Sequence, residues 1–84
     1  MGSDSVRQIR VYGMGCANCR RTVQLIEDAA RSQQVPVAIE KVEGLEDIAR
    51  AGVMRTPAVA IDGCMVHAGG VPAPEAVRAW LVGT

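Results

Sequence analysis

Apolar and polar positions along the first part of this chain predict a strand that leads directly into a helix. β-branched residues make residues 6–12 a strand, and Gly13 and Gly15 interrupt it. From Cys16 to about Gln33, apolar residues recur at i, i+4 and i+7, the spacing of one helical face. That face is formed by Thr22, Ile26 and Ala29.

The pattern changes again after Gln34. Alternating residues over 37–42 predict a second strand, and residues 45–51 predict a short helix that Gly52 would end. The inward positions of this helix are predicted to be Leu45, Ile48 and Ala49.

The last third of the chain predicts a hairpin followed by a helix. Strands are predicted over 57–61 and 64–68, and Asp62-Gly63 between them is a strong two-residue hairpin signal. Pro74 suits the first turn of the last helix, in which Trp80 is predicted to belong to the core.

The predicted order is therefore βαβαββα, an α/β fold. A βαβ unit requires parallel strands and a right-handed crossover, and the hairpin adds two antiparallel strands. We expect one four-stranded mixed sheet with helices on both faces. With 84 residues there is room for one domain, predicted over 6–84, after a disordered tail at 1–5.

Composition excludes several classes of function. Nine basic and nine acidic residues give no net charge, and no basic run or aromatic cluster suggests a nucleic-acid partner. No apolar stretch approaches the roughly 20 residues of a membrane span, so no membrane partner is expected. The first residues lack the features of a signal peptide, which favours a reducing cytoplasm.

The candidate chemistry lies in Cys16 and Cys19, at the predicted junction of strand and helix. A helix N-terminus carries a partial positive charge that favours a thiolate, which is the reactive form of cysteine. Two thiols one turn apart can close a disulfide or bind a metal. Cys64 makes the cysteine count odd, so it has no internal partner if the other two pair.

The same segment resembles a second class of protein. Gly13-Met14-Gly15-Cys16-Ala17-Asn18-Cys19 is similar to the Gly-Met-x-Cys-x-x-Cys loop of heavy-metal-associated domains such as copper chaperones. Two thiolates there bind a soft ion such as Cu(I). From the first thirty residues alone, redox chemistry and metal binding remain alternatives.

A later segment favours redox chemistry. Residues 53–63, Val-Met-Arg-Thr-Pro-Ala-Val-Ala-Ile-Asp-Gly, resemble the thioredoxin superfamily segment that leads through Thr-Pro into a strand and a tight turn. The resemblance covers about residues 6–82 and is strongest to small archaeal and bacterial thioredoxin-like or glutaredoxin-like redox-active disulfide proteins. It implies a cis bond at Thr56-Pro57, facing the cysteine pair.

The resemblance also implies a mechanism and its residues. Cys16 would attack a substrate disulfide and Cys19 would resolve the mixed disulfide. The residues implied to bind substrate are Met14, Gly15, Thr56, Pro57 and Gly70. No cofactor and no resident metal are expected, and the implied partners are protein disulfides and an unidentified reductase. We expect a monomer.

Some residues depart from the family pattern. The tryptophan that precedes the first cysteine of thioredoxin is replaced by Gly15, and the charged set that binds glutathione in glutaredoxins is missing. Glu40 is a weak candidate for the proton-accepting carboxylate and is better interpreted as a solvated strand residue. His67 is predicted to pack rather than to catalyse. Cys64 is interpreted as a small apolar residue, with a regulatory thiol or an intermolecular disulfide partner as the alternatives.

Overall fold

The structure, a computed structural model, describes residues 6–14 and 17–82. Its elements follow the predicted order βαβαββα, and their ends lie within about one residue of the predicted ones. The elements are β1 Arg7–Tyr12, α1 Ala17–Gln33, β2 Val37–Val42, α2 Leu45–Arg50, β3 Ala58–Ile61, β4 Cys64–Ala68 and α3 Pro74–Val82. The predicted tail at 1–5 and the predicted helix start at Cys16 lie outside the described residues.

The four strands form one mixed sheet in the order β2-β1-β3-β4. β1 runs parallel to β2 and antiparallel to β3, and β3 runs antiparallel to β4. The fold-class prediction is confirmed. This topology brings the ends of β1, β2 and β4 and the beginning of β3 to one edge of the sheet, which we call the functional edge.

The helices cover both faces of the sheet. On one face, α1 and α3 pack on alternate residues of β1 and β3 around a core that includes Ile9, Ile26, Val59 and Leu81. On the other face, Ile48 of α2 packs in a smaller cluster with Tyr12, Ala58 and Ala60. Both faces of β3 are therefore covered, which explains why every residue from Ala58 to Ile61 is buried.

The first helix is held by its apolar stripe and by satisfied polar groups. Thr22 is fully buried within that stripe, and its hydroxyl donates a hydrogen bond to the Asn18 carbonyl at 2.8 Å. The helix ends at Gln33, and the next residue, Gln34, adopts a left-handed φ of 58°. The Val35 amide then bonds back to the Ala30 carbonyl at 2.9 Å, so the last turn closes as a Schellman motif.

The inward face predicted for α2 is wrong in part. Ile48 is buried as predicted, but Leu45 is 66% exposed and Ala49 is exposed. A six-residue helix makes less than two turns, so only its middle can rest on the sheet. Leu45 lies at the functional edge, beyond the last residue of β2.

The hairpin turn does more than join β3 to β4. Asp62 and Gly63 both have positive φ, 51° and 86°, as a type I′ turn requires. The Asp62 carboxylate also accepts a hydrogen bond from the backbone N–H of Gln8 at 2.9 Å. The turn is thereby fastened to the first residues of β1, at the end of the sheet opposite the functional edge.

Candidate active site

Cys19, Gly13 and Pro57 meet at the functional edge. Gly13 follows the last residue of β1, and Cys19 lies in the first turn of α1, where it is only 7% exposed. A Cβ atom built on Gly13 would overlap the Cys19 Sγ atom and would lie 4.0 Å from the Pro57 Cα atom. The sulfur therefore occupies the space that any side chain at position 13 would take.

The backbone around this contact is anchored to the sheet. The Gly13 amide donates to the Val42 carbonyl at 3.0 Å, which extends the pairing of β1 with β2 by one residue. Pro57 is buried, and the peptide bond between Thr56 and Pro57 is cis, the conformation implied by the family resemblance. Thr56 itself is exposed.

Gly69 and Gly70, which we call the glycine loop, join this group from the end of β4. The Gly69 amide donates to the Pro57 carbonyl at 2.9 Å. Both glycines have positive φ, 89° and 76°, which other residues rarely adopt. Gly70 is exposed, so the loop borders the surface beside Pro57.

The remaining predicted residues differ in what the structure says of them. Met14 is 64% exposed directly after Gly13, so its side chain lies at the surface beside the Cys19 contact. Gly15 and Cys16 lie outside the described residues. Of the predicted set, the structure thus brings together Cys19, Thr56, Pro57, Gly70 and Met14.

A small cavity gives Cys19 a second environment, on the α1 side of the sheet. It measures about 180 Å³ and is lined by Cys19 and Gly13, by the apolar side chains of Val11 and Val23, and by three charged residues. The charged residues are Arg20, Lys41 and Glu43. We call this space the side cavity. One acidic and two basic residues, all of them exposed, thus line the same space as Cys19.

Glu40, the candidate carboxylate, does not belong to the side cavity. It lies on the opposite face of β2, where it forms an ion pair with Arg10, the residue facing it on β1, at 3.2 Å. The pKa of the Arg10 guanidinium is raised, first by its hydrogen bond with Tyr12 and then by the charge of Glu40. The interpretation of Glu40 as a solvated strand residue is confirmed by its 66% exposed side chain.

A larger cleft on that opposite face is lined by none of the predicted site residues that the structure describes. It measures about 640 Å³ and is lined by residues such as Gln8, Arg10, Glu40 and Met65. The described residues that line it include no cysteine. Its size reflects the short α2, which leaves part of this sheet face uncovered, whereas Cys19 lines the side cavity on the other face.

The interpretations of His67 and Cys64 have different outcomes. His67 is half-buried and packs as predicted, with its ring centroid 5.9 Å from that of Trp80, which is itself half-buried against the main core. It also contacts the Gly70 carbonyl at 2.9 Å, which the sequence did not suggest. Cys64 is exposed, so its interpretation as a packed apolar residue is wrong. It is the first residue of β4, directly after the turn, where the strand is exposed to solvent.

Neither a metal-ligand cluster nor a membrane-spanning helix is found among the described residues. Over residues 6–14 and 17–82, no group of three or more His, Cys, Asp or Glu side chains is arranged to hold a metal ion. Within the same ranges, no helix has the length and apolar character needed to cross a membrane.

Comparison with known proteins agrees with this geometry. A family profile described as "Thioredoxin domain" matches residues 7–82, which is almost the whole chain. The chain belongs to the thioredoxin family. This membership supports a thioredoxin-like redox function in general terms, and nothing in the comparisons supports the alternative of a metal-binding domain.

Individual thioredoxins show the same likeness. A protein named thioredoxin from Methanothermobacter thermautotrophicus is 30% identical over 71 residues, which cover 84% of this chain and 92% of the relative. A thioredoxin from Methanocaldococcus jannaschii is 33% identical over 70 residues, or 83% of this chain and 80% of the relative. Both matches extend well beyond the cysteine motif.

Sequence reasoning missed three features near these residues: Lys41, Glu43 and the contact of His67 with Gly70. Successive side chains of a strand point to opposite faces, so the alternation along β2 already places Lys41 on the face opposite Glu40 and could have identified Lys41. Glu43 follows the strand and carried no such signal. The contact of His67 with Gly70 needed the three-dimensional path of the loop.

Proposed function

We propose that this thioredoxin-family protein is a thiol–disulfide oxidoreductase that uses Cys16 and Cys19 as its dithiol. The single observation that carries the proposal is the burial of the Cys19 sulfur against Gly13, beside Pro57. A thiol held there is protected from solvent yet lies three residues from Cys16. That is the arrangement expected of a resolving cysteine.

The proposed reaction has two displacement steps. The Cys16 thiolate attacks one sulfur of a substrate disulfide, forms a mixed disulfide and releases the first substrate thiolate, which takes up a proton. The Cys19 thiolate then attacks the Cys16 sulfur, forms the internal disulfide and releases the second substrate thiol. The substrate gains two electrons and the dithiol loses two. A reductant of the dithiol class then reduces the internal disulfide and returns the protein to its starting state.

The position of Cys16 in the sequence, directly before α1, and the described surroundings of Cys19 support the two proposed roles. A thiol at a helix N-terminus is stabilised as the thiolate, which supports Cys16 as the attacking group. For Cys19, Glu43 lines the same side cavity and is a carboxylate that can accept the proton of its thiol in the second step. Exposed Met14, Thr56 and Gly70 offer a surface for the substrate chain.

The test is a comparison of two serine variants, each made in a Cys64→Ser background because the exposed Cys64 would itself react with disulfides. With dithiothreitol as reductant and insulin as substrate, Cys16→Ser should lose all exchange activity. Cys19→Ser should instead accumulate a mixed disulfide with the aromatic disulfide 5,5′-dithiobis(2-nitrobenzoate). Mass spectrometry would detect this adduct as one added nitrothiobenzoate group.

Two outcomes would overturn the proposal. One is full turnover in Cys19→Ser, which would remove the resolving role. The other is stoichiometric retention of Cu(I) by the reduced protein together with no disulfide exchange, which would favour a metal carrier. The cytoplasmic location, the monomeric state, the protein-disulfide and reductase partners, and the single-domain bounds 6–84 stay predictions.

A further inference from the structure

We propose that His67 is a positioning residue for disulfide exchange, because it holds the glycine loop in the place where the loop bonds to Pro57. This inference rests on the proposed function and adds to it a residue outside the cysteine and proline segments. Three contacts carry it, and they connect α3 to the functional edge in a continuous sequence.

The first contact joins His67 to the loop. The His67 Nε2 atom lies 2.9 Å from the Gly70 carbonyl oxygen. A carbonyl oxygen only accepts hydrogen bonds, so Nε2 must carry the proton and donate it. The bond spans three residues and closes the end of β4 around the turn at Gly69.

The second contact fixes the histidine ring itself. The ring of Trp80 lies at a centroid distance of 5.9 Å and an angle of 47°. Trp80 is half-buried and packs against the core formed by α1, α3 and the sheet. His67 thus lies between Trp80 of α3 and a loop of two consecutive glycines.

The third contact joins the loop to the site. The Gly69 amide donates to the Pro57 carbonyl at 2.9 Å, and a Cβ at Gly69 would lie 3.1 Å from the Cδ atom of Arg55. Arg55 and Gly69 therefore lie close together, and Gly69 is bonded to Pro57. Glycine has the greatest backbone freedom of any residue, so contacts such as these must supply the order that the sequence of the loop does not.

Loss of the His67 bond should affect substrate binding more than chemistry. The glycine loop bonds to Pro57, next to exposed Thr56, where an extended substrate chain would bind, whereas the Cys19 sulfur packs against Gly13. A disordered loop would therefore raise the KM for a protein substrate. A small disulfide, which needs only the sulfurs, should react at an unchanged rate.

Two substitutions separate the hydrogen bond from the ring packing. His67→Phe keeps an aromatic ring against Trp80 but has no donor, whereas His67→Gln keeps an N–H at a similar distance from the backbone but has no ring. In the insulin assay with dithiothreitol, we expect the KM of His67→Phe to rise about 3- to 10-fold, the usual effect of one lost hydrogen bond. We expect His67→Gln to stay within about twofold of the unmutated protein, and kcat to change little in either.

A second measurement does not depend on activity. Hydrogen exchange of the Gly69 amide reports directly on its bond to Pro57, and it should become faster in His67→Phe and stay slow in His67→Gln. The same variants, made in a Cys64→Ser background, should reduce 5,5′-dithiobis(2-nitrobenzoate) at the rate of the Cys64→Ser protein. Urea unfolding identifies any variant whose fold is lost. If His67→Phe does not fold, hydrogen exchange of the Gly69 amide in His67→Gln still tests the contact, because faster exchange there would contradict the role of the donor.

The possible failures can be told apart. An unchanged KM and unchanged Gly69 exchange in His67→Phe would overturn the positioning role alone. Equal losses in both variants would overturn it as well, because ring packing and not the donor would then matter. If the unmutated protein reduces neither insulin nor the small disulfide, the proposed function is wrong and the positioning role is refuted with it.

Discussion

At the scale of single residues, the most constrained position next to the site is Gly13. Its requirement for glycine comes from space and not from backbone angle, because its φ lies outside the left-handed region, unlike that of Gly52, Gly63, Gly69 and Gly70. The space is filled by the Cys19 sulfur. Gly13 therefore sets how deeply the second cysteine can be buried.

Replacing Gly13 with alanine should destabilise the protein through this one contact. We expect Gly13→Ala to lower the free energy of unfolding by about 1–3 kcal/mol, the usual range for overpacking, as measured by urea denaturation of the reduced protein. In a Cys19→Ala background the loss should be clearly smaller, because the overlapping sulfur is gone. Gly44→Ala is the matched control, since its Cβ would meet only the flexible Asp47 carboxylate, at 3.1 Å. Equal losses in both backgrounds would contradict the explanation.

Glu40 on β2 and Glu43 just after β2 should differ in how their substitution affects the resolving step. Glu43 lines the side cavity with Cys19, whereas Glu40 pairs with Arg10 on the other face. We expect Glu43→Gln to slow the resolving step about tenfold, less than the usual effect of a general base because Glu43 is exposed and water can replace it. Glu40→Gln should leave that step unchanged. Stopped-flow decay of a preformed mixed disulfide measures it, and equal rates in the two variants would remove Glu43 from the mechanism.

At the scale of elements, the types, order and approximate ends of helices and strands follow from the sequence, but the backbone conformation at an end and the exposure of individual residues do not always follow. Glycine and proline marked most boundaries, and Asp62-Gly63 predicted the hairpin correctly. Gln34 is different, because glutamine carries no preference for the left-handed conformation that it adopts at the end of α1. The exposure of Leu45 was also beyond the pattern, since a spacing of three and four residues cannot tell how far a short helix extends past the sheet.

The end of α1 provides a stability prediction. A residue with a side chain costs about 1–2 kcal/mol in the left-handed region, and glycine avoids this cost but loses about 0.5–1 kcal/mol of backbone entropy. Gln34→Gly should therefore stabilise the protein by roughly 0.5–1 kcal/mol in urea denaturation. Ser32→Gly, two residues earlier and within the regular helix, should destabilise it by a similar amount. A loss of stability in Gln34→Gly would show that the side chain contributes more than its conformation costs.

At the scale of the whole molecule, the sheet separates two thiol environments. Cys19 lies at the functional edge, buried and beside charged residues, while Cys64 is exposed at the first residue of β4. β4 is five residues long, so Cys64 is roughly 15 Å from the functional edge. A disulfide requires Cα atoms within about 7 Å, so the two cysteines cannot pair within one molecule.

We therefore expect Cys64→Ser to leave the reduction of insulin unchanged, within about twofold, because it alters neither the site nor the core. Its effect should be confined to oxidising conditions, where non-reducing electrophoresis should show a covalent dimer of the unmutated protein and none of the variant. A large fall in kcat/KM for Cys64→Ser would instead show that this distant thiol takes part in the reaction.

The site as a whole was predictable where chemistry follows from short motifs. Thr56 and Pro57 were assigned to the site from a segment some forty residues after the cysteines, and the structure brings Pro57 to Cys19 through Gly13. The side cavity and the link from Trp80 to the glycine loop were not predictable, because they join residues of different elements whose distances no local pattern encodes. Sequence identifies which groups react, whereas topology determines which groups surround them.

Trp80 is the one tryptophan in the chain, and its indole ring faces His67. The protein thus carries an internal optical probe whose emission is sensitive to the imidazole beside it. A change in fluorescence when a substrate analogue binds would report movement of His67 and the glycine loop without any added dye.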